Sequence, residues 1–211
     1  MSKQQRVRIT GADELLRAVQ GFEHGGPQVA ARALNKTARG AGAHTRKLLR
    51  QLLKLPDKEI SGKITIWKAN PKSLYAAVIA REKRGVPLIK YPVRPRTPNP
   101  KRPPSRGVSV QVKRFGGQKT IPGAFVARMK SGHVGVFKRT GQWSEKQKGY
   151  YVGEYREDIR QLYGPSFVQY LNRGRLRRKL DKYIQRRLET TLRHEINWQI
   201  QKQFNQIKGA R

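Results

Sequence analysis

The sequence contains no cysteine, and acids are scarce: 13 Asp and Glu stand against 47 Lys and Arg, a formal net charge of +34. Without cysteine there are no disulfides and no thiolate metal sites. No stretch approaches the roughly 18 apolar residues of a membrane-spanning helix, and MSKQQRVRIT lacks the apolar core of a secretory signal. The expectation is a soluble protein, intracellular when made, with no membrane partner. Hydrophobic residues make up 36% of the chain, below the usual range for a compact domain.

The shortage of acids also bears on chemistry. Glu154, Glu157 and Asp158 form the main acidic cluster. A Mg²⁺-dependent nuclease would need such carboxylates. Here, abundant cations such as Arg156 and Arg160 are their expected partners. The four histidines, His24, His44, His133 and His194, are scattered without metal-ligand spacing. Neither a phosphate-cradling GxxxxGK[ST] nor a nucleophile-elbow serine occurs. The residues therefore call for no enzyme, metal or cofactor.

The basic excess spans the whole chain, and self-repulsion on this scale opposes compaction unless a polyanion is near. Nucleic acid is the expected neighbour. No zinc-finger spacing or recognition helix is present, so contacts should go to phosphate and ignore base sequence. On charge alone, a nucleic-acid-binding protein of ribosomal type is the competing reading.

Periodicity predicts an α+β fold. A lead-in strand through Val7 and Ile9 and a short helix from Thr10–Asp13 occupy residues 1–26. A long helix follows from Pro27 to about Lys54, with Val29, Ala33, Leu34, Ala38, Ala41, Leu48, Leu49 and Leu52 as its apolar stripe. Gly40 and Gly42 within it mark a bend or a close helix approach. Pro56 opens a short helix carrying Ile60.

Alternation then predicts an antiparallel sheet of about five strands over 64–139, with the long helix on one face. Its strand candidates are Ile64–Ile66, Leu74–Ala80, Leu88–Tyr91, Val108–Val112, Ile121–Arg128 and His133–Arg139. Residues 92–107 hold six prolines and five cations in sixteen positions, which predicts a basic arm outside the sheet. Residues 140–154 read as a mobile loop. The predicted core unit is therefore 27–164, and 165–211 form a long helix opened by Gly164-Pro165.

That last helix has the strongest period. Leu176, Leu180, Ile184, Leu188, Leu192, Ile196, Ile200 and Phe204 recur every fourth residue. At about 100° per residue each step overshoots by about 40°, and seven steps turn the line by about 280° over roughly 42 Å. One flat partner cannot cover such a line. Leu188, Leu192, Ile196, Ile200 and Phe204 are thus the inter-subunit candidates.

Taken in order, ALNKTARGAGAHTRKLLRQLLKLP, PLIKY, GVSVQV, IPGAFVARMKSGHVGVFKR and IRQLYGPSF resemble the phage minor tail protein Z family, tail completion proteins of long-tailed phages. The resemblance covers roughly residues 27–170. Its most specific parts are PGAF at 122–125, SGHVGVFKR at 131–139 and LYGPS at 162–166. It implies a structural protein in the neck region of the virion tail, without established catalytic residues. It further implies a homo-oligomeric ring, a hexamer, around the DNA channel, next to the tail terminator and head–tail joining proteins. The DNA-facing candidates are Arg94, Arg96, Lys101, Arg102 and Arg106 of the arm, and Arg173, Arg175, Arg177, Arg178 and Lys179 at the start of the last helix.

Overall fold

The computed structural model describes residues 3–8, 25–82, 84–99, 104–145, 153–172 and 174–209. In chain order the elements are β1 (Lys3–Arg8), α1 (Gly26–Leu52), α2 (Asp57–Ser61), β2 (Ile64–Trp67), β3 (Ala77–Glu82), β4 (Val93–Arg94), β5 (Val108–Val110), β6 (Lys119–Ile121), β7 (Ala124–Arg128), β8 (Val134–Glu145), β9 (Tyr155–Gln161), α3 (Phe167–Leu171) and α4 (Gly174–Gly209). The class is α+β, with the two long helices expected from periodicity. The expected short helix after Thr10, and Ile9 in the lead-in strand, lie outside the described residues.

The strands form three antiparallel three-stranded sheets, ordered β1-β3-β2, β4-β5-β6 and β7-β8-β9, rather than one sheet of about five. Proline and glycine make the division. The stretch Ile121–Arg128, which reads as one strand, breaks at Pro122-Gly123. Gly123 sits there at φ +70°, a left-handed conformation that favours glycine. Leu88–Lys90 is a turn of 3₁₀ helix, not a strand, closed by Lys90 N–H to Pro87 O and Tyr91 N–H to Leu88 O. This single turn directs both Leu88 and Tyr91 inward.

Two compact units result. The first comprises residues 1–49, 60–83 and 167–211. Its central strand β3 buries Ala77, Val78, Ile79 and Ala80 in succession, so both faces are covered and the expected half-buried alternation is lost. Val78 pairs with Val7 on one side and Ile66 on the other. Helix α1 packs through its small residues. A Cβ on Gly42 would come within 3.0 Å of Ile66 Cδ1. The Asn35 side chain both donates to Ala69 O (2.9 Å) and accepts from Ala69 N–H (2.8 Å).

The terminal helix does not open at Gly164-Pro165. Short α3 comes first, its Phe167 N–H donating to the buried Glu82 carboxylate at 2.8 Å. The long α4 then starts at Gly174 and runs 36 residues, about 54 Å at 1.5 Å per residue.

The second unit comprises residues 50–59 and 84–166. Strand β8 continues to Glu145, so residues 140–145 of the expected loop 140–154 are strand, paired in part with β9; residues 146–152 lie outside the described ones. A register shift between Arg139 and Trp143 bends β8. The Glu157 carboxylate holds the bend, accepting from Gly141 N–H (2.9 Å) and Arg139 Nη1 (3.2 Å).

Candidate functional site

The most developed polar arrangement in the first unit is the antiparallel seam between α1 and α4. On α4 the apolar residues Leu180, Ile184 and Leu188 are buried. The fourfold repeat then drifts away from the seam. Counting about 100° per residue, Ile200 is about 160° from Ile184, whereas Thr191 and Glu195 lie within about 20° of it. Thr191 and Glu195 are accordingly buried, while Ile200 and Phe204 are exposed. Leu192 and Ile196 are half-buried.

The polar continuation is satisfied from α1. Glu195, 3% exposed, accepts from Arg32 Nε at 2.8 Å and Lys36 Nζ at 2.5 Å. Arg32 Nη2 reaches Gln199 Oε1 at 3.1 Å, and its guanidinium lies 4.8 Å from the Trp198 ring centroid. Burial alone would raise the Glu195 pKa. The hydrogen bonds and charges of Lys36 and Arg32 overcome that effect and hold the carboxyl below its ordinary value.

Further along, the His44 and Tyr183 rings stack at 4.1 Å and 1°. Burial, and then the charge of Lys47, lower the His44 pKa. Gly40 lies opposite Arg187 and Tyr183, and a Cβ there would meet Arg187 Nε at 2.6 Å and Tyr183 Oη at 3.1 Å. Close approach of a helix is found at Gly40, which faces α4, whereas Gly42 faces Ile66 of β2. Glu195 escaped the reading by sequence. The signal was the spacing Ile184, Thr191, Glu195, which keeps to the seam where the fourfold line does not.

The two sets of DNA-facing candidates belong to different units. In the second, Arg94 lies in β4 opposite Ser109 and is exposed, as are Arg96 and Arg106. Lys101 and Arg102 lie outside the described residues. In the first unit, Arg175, Arg178 and Lys179 are exposed on the opening turns of α4. Arg177 is engaged by Asp181 through Nε at 2.9 and 3.0 Å. Arg173 is outside the described residues.

The acids are engaged as well. Glu154 pairs with Arg156 (2.7 Å), Glu157 with Arg139, and Asp158 accepts from Ser144 Oγ (2.8 Å). Among the described residues no group of His, Asp and Glu could hold a metal ion. No described helix is long and apolar enough to cross a membrane.

Two of the segments that carry the family resemblance, PLIKY and LYGPS, meet within the second unit. Leu88 N–H donates to Leu162 O (3.1 Å) and Gly164 N–H to Val86 O (2.7 Å), bringing PLIKY against LYGPS. Gly164 lies so near the buried Tyr91 ring that a Cβ would stand 2.7 Å from Cε2. In SGHVG, Gly132 turns the hairpin at φ +80°, with Met129 N–H to His133 O at 2.8 Å. Residues 9–206 match the family described as prophage minor tail protein Z (GPZ).

The chain belongs to the prophage minor tail protein Z family. As a family member it is a structural component of a phage tail. No curated protein and no solved structure matches it. The glycines of the segments that carry the resemblance have physical reasons in this chain. Gly123 and Gly132 supply left-handed turns, and Gly164 supplies the absent side chain over Tyr91.

Proposed function

We propose that the protein is a tail completion protein that forms a ring at the head-proximal end of the tail. Six copies, as the family resemblance implies, surround the channel through which the DNA end passes. The ring adjoins the tail terminator and the head–tail joining proteins. Its part is structural, joining tail to head, and it contacts DNA through phosphate without regard to sequence.

The observation that carries this reading is the distal edge of α4. There Ile200, Phe204 and Ile207, within about 60° of one another around the helix, are 37, 62 and 65% exposed. Apolar side chains gathered on one exposed helix end suit a contact with another copy. The charge agrees, since six copies multiply an excess of +34 around a shared polyanion. Screening confines the effective cations to those within about 10 Å of the DNA at 0.1 M salt.

Light scattering on the purified full chain, free of nucleic acid, tests self-assembly. A mass of several subunits, falling to one in Phe204→Glu/Ile207→Glu, is expected. A wild-type chain that stays monomeric at every concentration, with its distal α4 amides protected from exchange, would overturn the reading.

A further inference from the structure

We infer that the groove along the α1–α4 seam is a binding site for a phosphodiester backbone, separate from the basic arm and from the opening turns of α4. The identity of the polyanion rests on the DNA-channel reading above; the location rests on the groove itself.

The groove has a volume of about 720 Å³ and is open to solvent. One wall is α1, with Lys36 and Arg39. The other is α4, with Arg186, Arg187 and His194. Gly40 forms the floor, and its missing side chain lets Arg187 and Tyr183 lie close to the α1 backbone. On α4 these residues recur at spacings of three and four from Tyr183 to His194, which keeps them on one face over roughly 16 Å.

The charges here are largely uncompensated. Lys36 shares Glu195 with Arg32. Among the described residues Arg39, Arg186 and Arg187 enter no salt bridge, and all three are exposed. Of the acids on this stretch of α4, Glu195 is taken up by Arg32 and Lys36, and Glu189 lines the adjoining hollow with Arg193 and Trp198 rather than the groove.

Converging like charges repel one another, a cost that an occupying anion removes. A phosphate backbone fits this lining better than an acidic protein segment does. The walls offer cations and the hydroxyls of Tyr183 and Thr190 and, being two helices, no free strand edge to pair a peptide. Arginine also recognises phosphate through paired N–H donors. Along a single strand, phosphates recur every 3.4 Å of duplex axis, so a run of about 16 Å spans about five.

The test is binding of the full chain to a fluorescent 20-base-pair duplex and to the matching single strand, across a salt series. The variant is Arg39→Gln/Arg186→Gln/Arg187→Gln. All three side chains are exposed, and circular dichroism and light scattering will report whether fold and assembly survive. The control is Arg94→Gln/Arg96→Gln/Arg106→Gln in the arm.

The groove variant should bind one or both nucleic acids of the order of a hundredfold more weakly at 0.1 M salt. Its log–log salt slope should fall by about three for duplex, and by about two for single strand. Which form shows the larger loss identifies the strand state the groove accepts. An unchanged slope and affinity would overturn the inference, whatever the assembly state. So would a loss seen only against polyglutamate, which would assign the groove to an acidic protein. Monomeric protein that still shows the groove-dependent slope would defeat the ring reading and leave this one standing.

Discussion

Arg32 and Glu195 are 163 positions apart in sequence and 2.8 Å apart in the fold. Their contact marks the point where the seam between α1 and α4 changes from apolar to polar. It also marks where the fourfold line of α4 leaves the protein's own core. Up to Leu188 the helix is held by burial of leucine and isoleucine; beyond it, by a carboxylate between two cations.

Removing that carboxylate's charge should be costly because the group is buried. Glu195→Gln leaves Arg32 and Lys36 close together without their shared counter-charge. We expect a loss of about 2 kcal/mol in urea unfolding. Lys36→Gln should cost less, since Lys36 is 53% exposed and the Arg32 bond remains. Equal stability of Glu195→Gln and wild type would mean that the seam does not depend on this contact.

Acid should weaken the seam in two stages. The folded pKa of His44 is lowered, so the folded state favours the neutral ring. Its contribution is fully present above the ordinary value of 6.5 and is lost as pH falls through the folded value. Glu195 is likewise lowered, so its contribution persists to below 4.5 before it is lost. Melting temperature measured from pH 8 to 3 should decline below about 6.5 and again below about 4.5. His44→Phe should remove the upper decline and leave the lower one. A profile flat from pH 7 to 5 in the wild type would contradict the His44 assignment.

Gly164→Ala tests the joint between the family segments. The added methyl would stand 2.7 Å from the Tyr91 ring, which is buried and has nowhere to move. Overpacking of this kind costs about 1–3 kcal/mol. Chemical denaturation should register it, with Gly132→Ala as a comparison in open space where only the left-handed φ of +80° is strained. If Gly164→Ala loses no more stability than Gly132→Ala, the joint is looser than described.

The distal edge of α4 should behave as a surface in the isolated subunit and as an interface in the assembly. Ile200→Glu/Phe204→Glu should leave the unfolding midpoint of the subunit within about 0.5 kcal/mol of wild type, because both side chains are already exposed. The same change should lower the subunit mass number in solution. Loss of fold in this variant would mean that the end of α4 is held within its own chain.

Much of the architecture was legible where one rule dominated. The period of four gave α4, and its rotation of about 40° per step accounts for the exposure of Ile200 and Phe204 on the described subunit. Small residues and glycines in α1 announced close packing, found at Gly40 and Gly42. What stayed hidden depended on contacts distant in sequence. One strand became β6 and β7 because Gly123 turns the chain between them. Leu88–Tyr91 became a 3₁₀ turn because Leu162 and Gly164 pair with its approach. Residues 140–145, read as loop, continue β8 past a bend at Gly141 that Glu157 fastens. The cationic groove was not visible at all. Lys36 and Arg39 lie about 150 residues before Arg186 and Arg187, and no local pattern joins them.

The central claim is that several copies of this chain gather around the DNA at the end of the tail. Cryo-electron microscopy of intact virions, reconstructed at the neck, tests it most directly. The account predicts a closed ring of this subunit encircling the DNA conduit, with the end of α4 from Trp198 to Ile207 seated on a neighbouring copy. A single copy, or density for the chain only away from the conduit, would contradict it.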